Sequence, residues 1–152
     1  MAQRAYRSGS GQAGKKMNLF LDTSCLVSFF LADSHSEKAH PILENIARGE
    51  ISGIISALSL VELCGTVRRI ANEDIAREII REMAELIEKG MIRVIPIRNS
   101  DAFEAAELAI LTALKGADAL IVNAASQSRS KLATFDEEIK KKAKAAVEFY
   151  EN

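Results

Sequence analysis

The feature that most limits how this chain can fold is an alternation of short apolar runs with longer segments whose apolar residues recur at helical spacing. In the short runs, apolar residues stand on successive positions, which is typical of strands buried on both faces of a parallel sheet. We predict four such strands, at residues 18–22, 51–55, 91–97 and 131–135. Strands that alternate with helices in this way indicate an α/β sandwich with a mainly parallel sheet.

The longer segments predict seven helices. They cover residues 25–31, 36–48, 56–70, 73–89, 101–114, 117–128 and 137–150. Thr23 and Ser24 can cap the first helix, and Gly49 can end the second. Pro41 lies inside the second helix, so that helix could instead begin at His40.

Size and composition predict one ordinary globular domain. A chain of 152 residues has the length of a single domain. Its 48% hydrophobic and 27% charged residues exclude a disordered or collagen-like protein. Residues 1–16 are polar, rich in Gly and Ser and without periodicity, so we expect a tail or leader there and the folded domain at 17–152.

Charge, cysteine content and hydropathy exclude several classes of protein. A net charge of -1 excludes a polycation that holds nucleic acid by bulk charge, and 5% aromatic residues without Trp disfavours a protein that binds mainly by base stacking. Cys25 and Cys64 lie in apolar runs, which indicates reduced core residues. The sequence has neither an apolar run of the roughly 18 residues that span a membrane nor a signal-peptide core, so we expect a cytoplasmic protein.

Four acidic residues stand in unusual positions. Asp22 follows the first predicted strand and Asp136 follows the last, so both emerge at the carboxyl edge of a parallel sheet, where α/β proteins form their sites. Asp118 begins an apolar helix, and Glu62 lies among apolar residues. Each has an ordinary explanation as a turn residue, a helix-start acid or the partner of a nearby arginine.

Together these acids predict a site for a divalent cation. Carboxylates crowded within a few ångströms repel one another and raise each other's pKa, and a cation removes that conflict. Oxygen ligands favour Mg²⁺ or Mn²⁺ over Zn²⁺. One or two such ions can activate a water for phosphodiester hydrolysis without a covalent nucleophile from the protein. His35 and His40 have the wrong spacing for a metal pair on one helix face, so we expect two exposed or capping histidines.

Four short motifs resemble those of the PIN domain family in order and interval. They are Leu21-Asp22-Thr23-Ser24, Val61-Glu62-Leu63, Gly116-Ala117-Asp118-Ala119-Leu120-Ile121 and Ala133-Thr134-Phe135-Asp136. Each motif is weak by itself, and their common order over residues 17–150 carries the resemblance. It implies a three-layer α/β/α sandwich with a mainly parallel central sheet, and a ribonuclease that uses Mg²⁺ or Mn²⁺.

The resemblance also implies roles for individual residues. The acidic quartet of the family carries over to Asp22, Glu62, Asp118 and Asp136. The three aspartates would be metal ligands, directly or through water, and the glutamate would complete the metal site or orient the attacking water. Ser24 and Thr134 would hydrogen-bond the carboxylates or a phosphate oxygen. The quartet is complete, so nothing indicates an inactive homologue.

Many small PIN proteins are VapC-type toxins of toxin–antitoxin pairs, so the resemblance implies an antitoxin protein as partner, and a homodimer. PIN domains also serve in RNA processing and decay, which leaves a function outside a toxin pair open. Phe29, Phe30 and Leu31 are expected in the core or, together with apolar residues of the 73–89 helix, on a dimer or antitoxin surface.

Basic residues near the acids are candidates for contacts with RNA phosphates. Arg68 and Arg69 follow Glu62 on its predicted helix, and Lys140 begins a basic run on the last helix. For the basic run of the last helix, a solvated helix face is the first interpretation and a contact with RNA phosphates is the second.

Other interpretations agree less well with the residues. A phosphatase of the haloacid dehalogenase type also begins with a strand-end aspartate, but it needs a second aspartate where this chain has Ser24. A receiver domain needs an acidic pair near the first strand, which Asn18 and Asp22 do not supply. An α/β interaction module with structural acids is the non-enzymatic alternative, and metal-dependent RNA cleavage would separate it from a nuclease.

Overall fold

The centre of the protein is a parallel sheet, seen in a computed structural model that describes residues 16–152. Its strands are β1 (Met17–Leu21), β2 (Ile51–Ser56), β3 (Ile92–Ile95) and β4 (Lys131–Ala133). They pair in the order β3-β2-β1-β4, and every pair is parallel. The expected tail at 1–16 lies outside the described residues, except for its last residue.

Helices connect and cover these strands. They are α1 (Thr23–Phe30), α2 (Ser36–Ala47), α3 (Ala57–Ile70), α4 (Glu73–Glu88), α5 (Asn99–Thr112), α6 (Gly116–Gln127) and α7 (Glu137–Lys142). Except for the end of α7, all helices and strands begin and end within two residues of the predicted positions. The second helix begins at Ser36 rather than His40 and contains Pro41. In the part of the chain that the structure describes, no helix has the length and apolar character needed to cross a membrane.

The helices form two layers, one on each face of the sheet. Pairs of helices connect β1 to β2, β2 to β3, and β3 to β4. Because β4 lies on the opposite side of β1 from β2 and β3, right-handed crossovers place α1–α4 on one face and α5 and α6 on the other. Leu19 and Leu21 accordingly pack among α1–α4, and Phe20 packs against α5 and α6. This is the predicted three-layer α/β/α sandwich.

The residues at the end of α1 belong to the core. Of the two expected places for them, the core and a contact surface, the structure shows the core. Phe29 is buried, and Phe30 and Leu31 are partly buried against the same core cluster. Cys25 is also buried there, and Cys64 is half-buried on α3. Both cysteines are free thiols, but only Cys25 is the predicted core residue, because Cys64 lines an open apolar surface between α3 and α4.

The prediction of a helix over 137–150 is wrong. α7 ends at Lys142, and the chain then turns back to lie beside β4. The backbone N–H of Leu132 donates to Glu148, and the N–H of Tyr150 donates to Leu132, both at 2.9 Å. β4 is an edge strand of the sheet, so the backbone N–H and C=O groups on its outer side need hydrogen-bond partners. The segment after α7 supplies them. Val147 and Phe149 pack against the core in this extended form, so their apolar character does not require a helix.

The cap of α1 also differs from the prediction. Asp22 is the N-cap residue, and its carboxylate accepts a hydrogen bond from the backbone N–H of Thr23. Thr23 and Ser24 lie inside the helix instead of capping it. The hydroxyl of Thr23 instead donates to Glu62, and the hydroxyl of Ser24 donates to Asp22 itself.

Substitution of Gly53 on β2 tests the packing of helices against the sheet. A Cβ atom at Gly53 would lie 3.1 Å from Ile92 and 3.3 Å from Ile46. Gly53→Val is therefore expected to lower the free energy of unfolding by about 1–3 kcal/mol, measured by urea unfolding, because a packed core has no room for the added atoms. Gly65→Ala in α3 is the control, since its Cβ would meet only the flexible end of Arg69 at 3.4 Å. It should raise stability by up to about 1 kcal/mol, and equal losses in both variants would contradict the packing argument.

Candidate functional site

Two of the predicted acidic residues, Asp22 and Asp136, follow the carboxyl ends of β1 and β4. These two strands are neighbours in the sheet, but the connections on the two sides of β1 run in opposite directions. Such a switch point leaves a crevice where α/β proteins bind ligands. The backbone N–H of Asp22 donates to the carbonyl of Ala133 at 2.9 Å, which holds the end of β1 beside the segment that follows β4.

Asp22 is the buried centre of the site. Only 4% of its surface is exposed. Its Oδ1 accepts the N–H of Thr23 at 2.8 Å, and its Oδ2 accepts the hydroxyl groups of Ser24 at 2.8 Å and Thr134 at 2.7 Å. Burial raises the pKa of the Asp22 carboxyl, and these hydrogen bonds oppose the rise. Ser24 and Thr134 therefore replace part of the water that this carboxylate has lost.

The same two hydroxyl groups hold the backbone that carries Asp136. Ser24 Oγ accepts the N–H of Phe135 at 3.0 Å, and Thr134 Oγ1 accepts the N–H of Asp136 at 3.1 Å. Asp136 in turn caps α7, since its Oδ1 accepts two backbone N–H groups of that helix at 2.8 and 3.2 Å. One hydrogen-bond network thus connects the first and last acids of the sequence.

Glu62 and Asp118 come from helices on opposite faces of the sheet. Glu62 on α3 accepts the hydroxyl of Thr23 at 3.0 Å. Asp118 is half-buried in the first turn of α6. Burial and then the negative charges of the other three acids raise the pKa of Asp118 to about 6, against the opposing positive charge of Lys115. The fold therefore brings all four predicted acids into one electrostatic group, which we call the acidic cluster (Asp22, Glu62, Asp118 and Asp136).

The acidic cluster has the right donor chemistry for a hard divalent cation. Its ligating atoms are carboxylate oxygens, which Mg²⁺ and Mn²⁺ prefer. Within residues 16–152, no three acidic, histidine or cysteine side chains stand at the spacing of an assembled metal site. The observation that supports a cation is the negative charge of the cluster. Together with burial, which is the larger cause, this charge raises the pKa of Asp118, and a bound cation would neutralise it.

The predicted RNA-contacting cations lie in three different surroundings. Arg69 is exposed on the face of α3 that also carries Glu62, since residues seven apart share a helix face. Arg68 instead lines a shallow apolar surface between α3 and α4. Lys140 lines a cavity next to Thr134. Lys140 therefore lies beside the acidic cluster, Arg69 shares only a helix face with Glu62, and Arg68 lies on a different side of α3.

Several residues of the site were missed by the sequence analysis. Thr23 could have been found as a hydroxyl beside Asp22, and Lys115 as a cation just before the motif of Asp118. His35 is exposed, as expected, but its ring stacks on that of Phe135, with centroids 4.8 Å apart and planes at 3°. No local pattern predicts that pairing, because the two residues are distant in the sequence.

Comparison with known proteins agrees with this geometry. The model of the PIN domain family matches residues 19–145. A search among curated proteins found no matching sequence.

Solved structures of similar fold include two from toxin–antitoxin systems. One is the toxin VapC20 of Mycobacterium tuberculosis, described as cleaving the sarcin–ricin loop, with a TM-score of 0.71 and 16% identity over 88% of this chain and 99% of that chain. Another is VapBC2 of Rickettsia felis bound to a DNA fragment from its promoter, with a TM-score of 0.66 and 19% identity over 88% and 98% of the two chains. A third is PAE2754 of Pyrobaculum aerophilum, with a TM-score of 0.59 and 21% identity over 87% and 83%.

At identities of 16–21%, these structures establish a shared fold. The family model carries more weight, because residues 19–145 include most of the chain and every member of the acidic cluster. The chain belongs to the PIN domain family.

Proposed function

We propose that this chain is a metal-dependent endoribonuclease and the toxin of a VapBC-type toxin–antitoxin pair. The observation that carries the proposal is the acidic cluster, which stands at the switch point of the sheet in a chain of the PIN family. The reaction is hydrolysis of an RNA phosphodiester bond by an activated water. A PIN nuclease of RNA processing, outside a toxin pair, and a non-catalytic interaction module are the alternatives.

Each member of the site has a proposed role. The three aspartates of the acidic cluster would hold Mg²⁺ or Mn²⁺, and Glu62, held by the hydroxyl of Thr23, would complete the site or orient the attacking water. A bound divalent ion lowers the pKa of a water and neutralises charge that develops on the phosphate. The hydrogen bonds from Ser24 and Thr134 favour the charged form of Asp22 against the effect of burial, and they hold its carboxylate in one orientation.

The proposed partners are RNA, an antitoxin protein and a second copy of this chain. Support for the antitoxin comes from the shared fold with VapC20 and VapBC2. Support for association comes from α5, where Phe103, Ile110 and Leu111 are 78%, 76% and 81% exposed. Large apolar side chains exposed together are typical of protein–protein contact surfaces. A neighbouring gene for a short DNA-binding protein would favour the toxin over an RNA-processing nuclease.

Asp118→Asn is expected to reduce metal-dependent cleavage of mixed-sequence single-stranded RNA about a hundredfold or more. It removes one carboxylate from the acidic cluster, and metal-ion catalysis contributes several kcal/mol to the barrier. Gel assays with Mn²⁺, Mg²⁺ or EDTA measure the effect. Asp74→Asn is the control, because Asp74 is an exposed acid in the first turn of another helix. Full activity of Asp118→Asn, or cleavage that persists in EDTA, would contradict the assignment.

In EDTA, Asp118→Asn is expected to stabilise the protein at neutral pH. The pKa of Asp118 is raised from 3.8 to about 6 in the folded state, so ionisation opposes folding increasingly as the pH rises between these values. Below the lower value both states are protonated, and the difference disappears. Because the side chain is half-exposed, solvent screening reduces the effect, and we expect a rise in Tm of about 2–4 °C at pH 7.

Asp101→Asn is a matched control of opposite sign. The backbone N–H and guanidinium of Arg98 lower the pKa of Asp101, so its charged form stabilises the folded state at neutral pH and that stability is lost as the pH falls through the lowered pKa. This variant should therefore lower Tm at pH 7. Thermal unfolding measures both variants, and Mn²⁺ should raise the Tm of the wild type but not of Asp118→Asn. A loss of stability in both variants would contradict the charge conflict in the cluster.

Arg69→Gln is expected to weaken the binding of RNAs of every sequence. When the logarithm of the binding constant is plotted against the logarithm of the salt concentration, the slope should become shallower by about one. The physical reason is that Arg69 shares a helix face with Glu62, whereas Arg68 faces the apolar surface between α3 and α4. Arg68→Gln should therefore lose less affinity. Filter binding at several salt concentrations measures both, and a larger loss in Arg68→Gln would contradict this placement of the RNA.

A further inference from the structure

Two aromatic rings stack beside the acidic cluster and have no role in the chemistry proposed so far. The centroids of His35 and Phe135 are 4.8 Å apart, and the ring planes are within 3° of parallel. Phe135 is half-buried and packs against the core, whereas His35 is exposed. The imidazole is therefore the outer layer of the stack, with one face available to a further planar group.

Hydrogen bonds hold the backbone at both ends of the stack. The backbone N–H of Phe135 donates to Ser24 Oγ at 3.0 Å, and Ser24 also donates to Asp22, so the backbone that carries the phenyl ring is tied to the acidic cluster. The N–H of His35 donates to Asp33 Oδ1 at 2.8 Å. Asp33 is held in turn by the hydroxyl of Ser28 at 2.7 Å. The stack therefore occupies a defined position relative to the carboxylates.

A cavity of about 290 Å³ opens beside this stack. Phe135 and Thr134 line it on the side of the acidic cluster. The other polar residues of the lining are Lys38, Lys140, Tyr150, Glu151 and Asn152, so two cations face one carboxylate. Small-molecule sites occupy about 300–1,000 Å³, so this volume is small for a ligand of that kind. Cationic groups together with aromatic rings are the features by which proteins bind single-stranded nucleic acid.

We propose that a nucleobase next to the scissile phosphate stacks on the exposed face of His35, while Lys38 and Lys140 contact the adjoining phosphate. This inference rests on the proposed ribonuclease function and identifies the part of the substrate that this side of the site binds. Every base has a π face, so stacking of this kind is tolerant of sequence. The position therefore contributes affinity and sets the register of the strand over the acidic cluster.

The experiment measures binding separately from cleavage. Full-length protein carrying Asp118→Asn, which is expected not to cleave, is mixed with short single-stranded RNAs in which 2-aminopurine replaces one base at a time. Stacking quenches the fluorescence of this base, and we expect one position to be quenched strongly. Adding His35→Ala should abolish that quenching and weaken affinity about 5- to 150-fold. His35→Trp, which restores a planar ring, should recover both signals.

His40→Ala is the matched control, because His40 is an exposed histidine of α2 outside the cavity. It should leave quenching and affinity unchanged. Three results would overturn the proposal. Adding His35→Ala could leave both the quenching of 2-aminopurine and the affinity for RNA unchanged, His40→Ala could lower them as much as His35→Ala does, or no position of the RNA could be quenched.

Failure of the proposed function gives a different result. If the protein is not a ribonuclease, the wild type will cut no RNA with Mn²⁺ or Mg²⁺, whether or not 2-aminopurine is quenched. Failure of the stacking proposal alone leaves metal-dependent cleavage intact, with the same rate in the wild type and in His35→Ala.

Discussion

The hydrogen bonding of the buried Asp22 carboxylate is the interaction on which the rest of the site depends. A carboxylate removed from water costs several kcal/mol unless other donors replace the solvent. Ser24 and Thr134 supply those donors from the ends of two neighbouring strands. Because the same hydroxyl groups accept the backbone N–H groups of residues 135 and 136, the network around Asp22 also holds the backbone that carries Phe135 and Asp136.

The acidic cluster opposes folding, and the packing of the sheet compensates for it. Burial and then the negative charges of the other three acids raise the pKa of Asp118 to about 6, so the four carboxylates repel one another in the absence of a cation. The elements that carry them are held by two apolar clusters, one on each face of the sheet. Conflicts of this kind concentrate at functional sites, where a ligand that binds only the folded state restores the lost stability. The cation proposed for catalysis would therefore also stabilise the fold.

Local patterns predicted most of the elements because strands buried on both faces and amphipathic helices have different apolar periods. They failed where hydrogen bonds to a distant part of the chain decided the local structure. Residues 143–150 have apolar positions that suit a helix, but the outer edge of β4 needs hydrogen-bond partners, and Glu148 and Tyr150 supply them. The cap of α1 was also assigned to Thr23 and Ser24, because only the folded site shows that their hydroxyl groups bond acidic side chains.

The sequence by itself determined the four acids and the edge of the sheet at which Asp22 and Asp136 emerge, since connections between parallel strands place all carboxyl ends on one side. Only the tertiary structure decided which side chains meet there. The bond between Thr23 and Glu62 and the stack of His35 on Phe135 join residues distant in the chain. Such contacts depend on how helices and loops pack around the sheet, and no local pattern of residues specifies that packing.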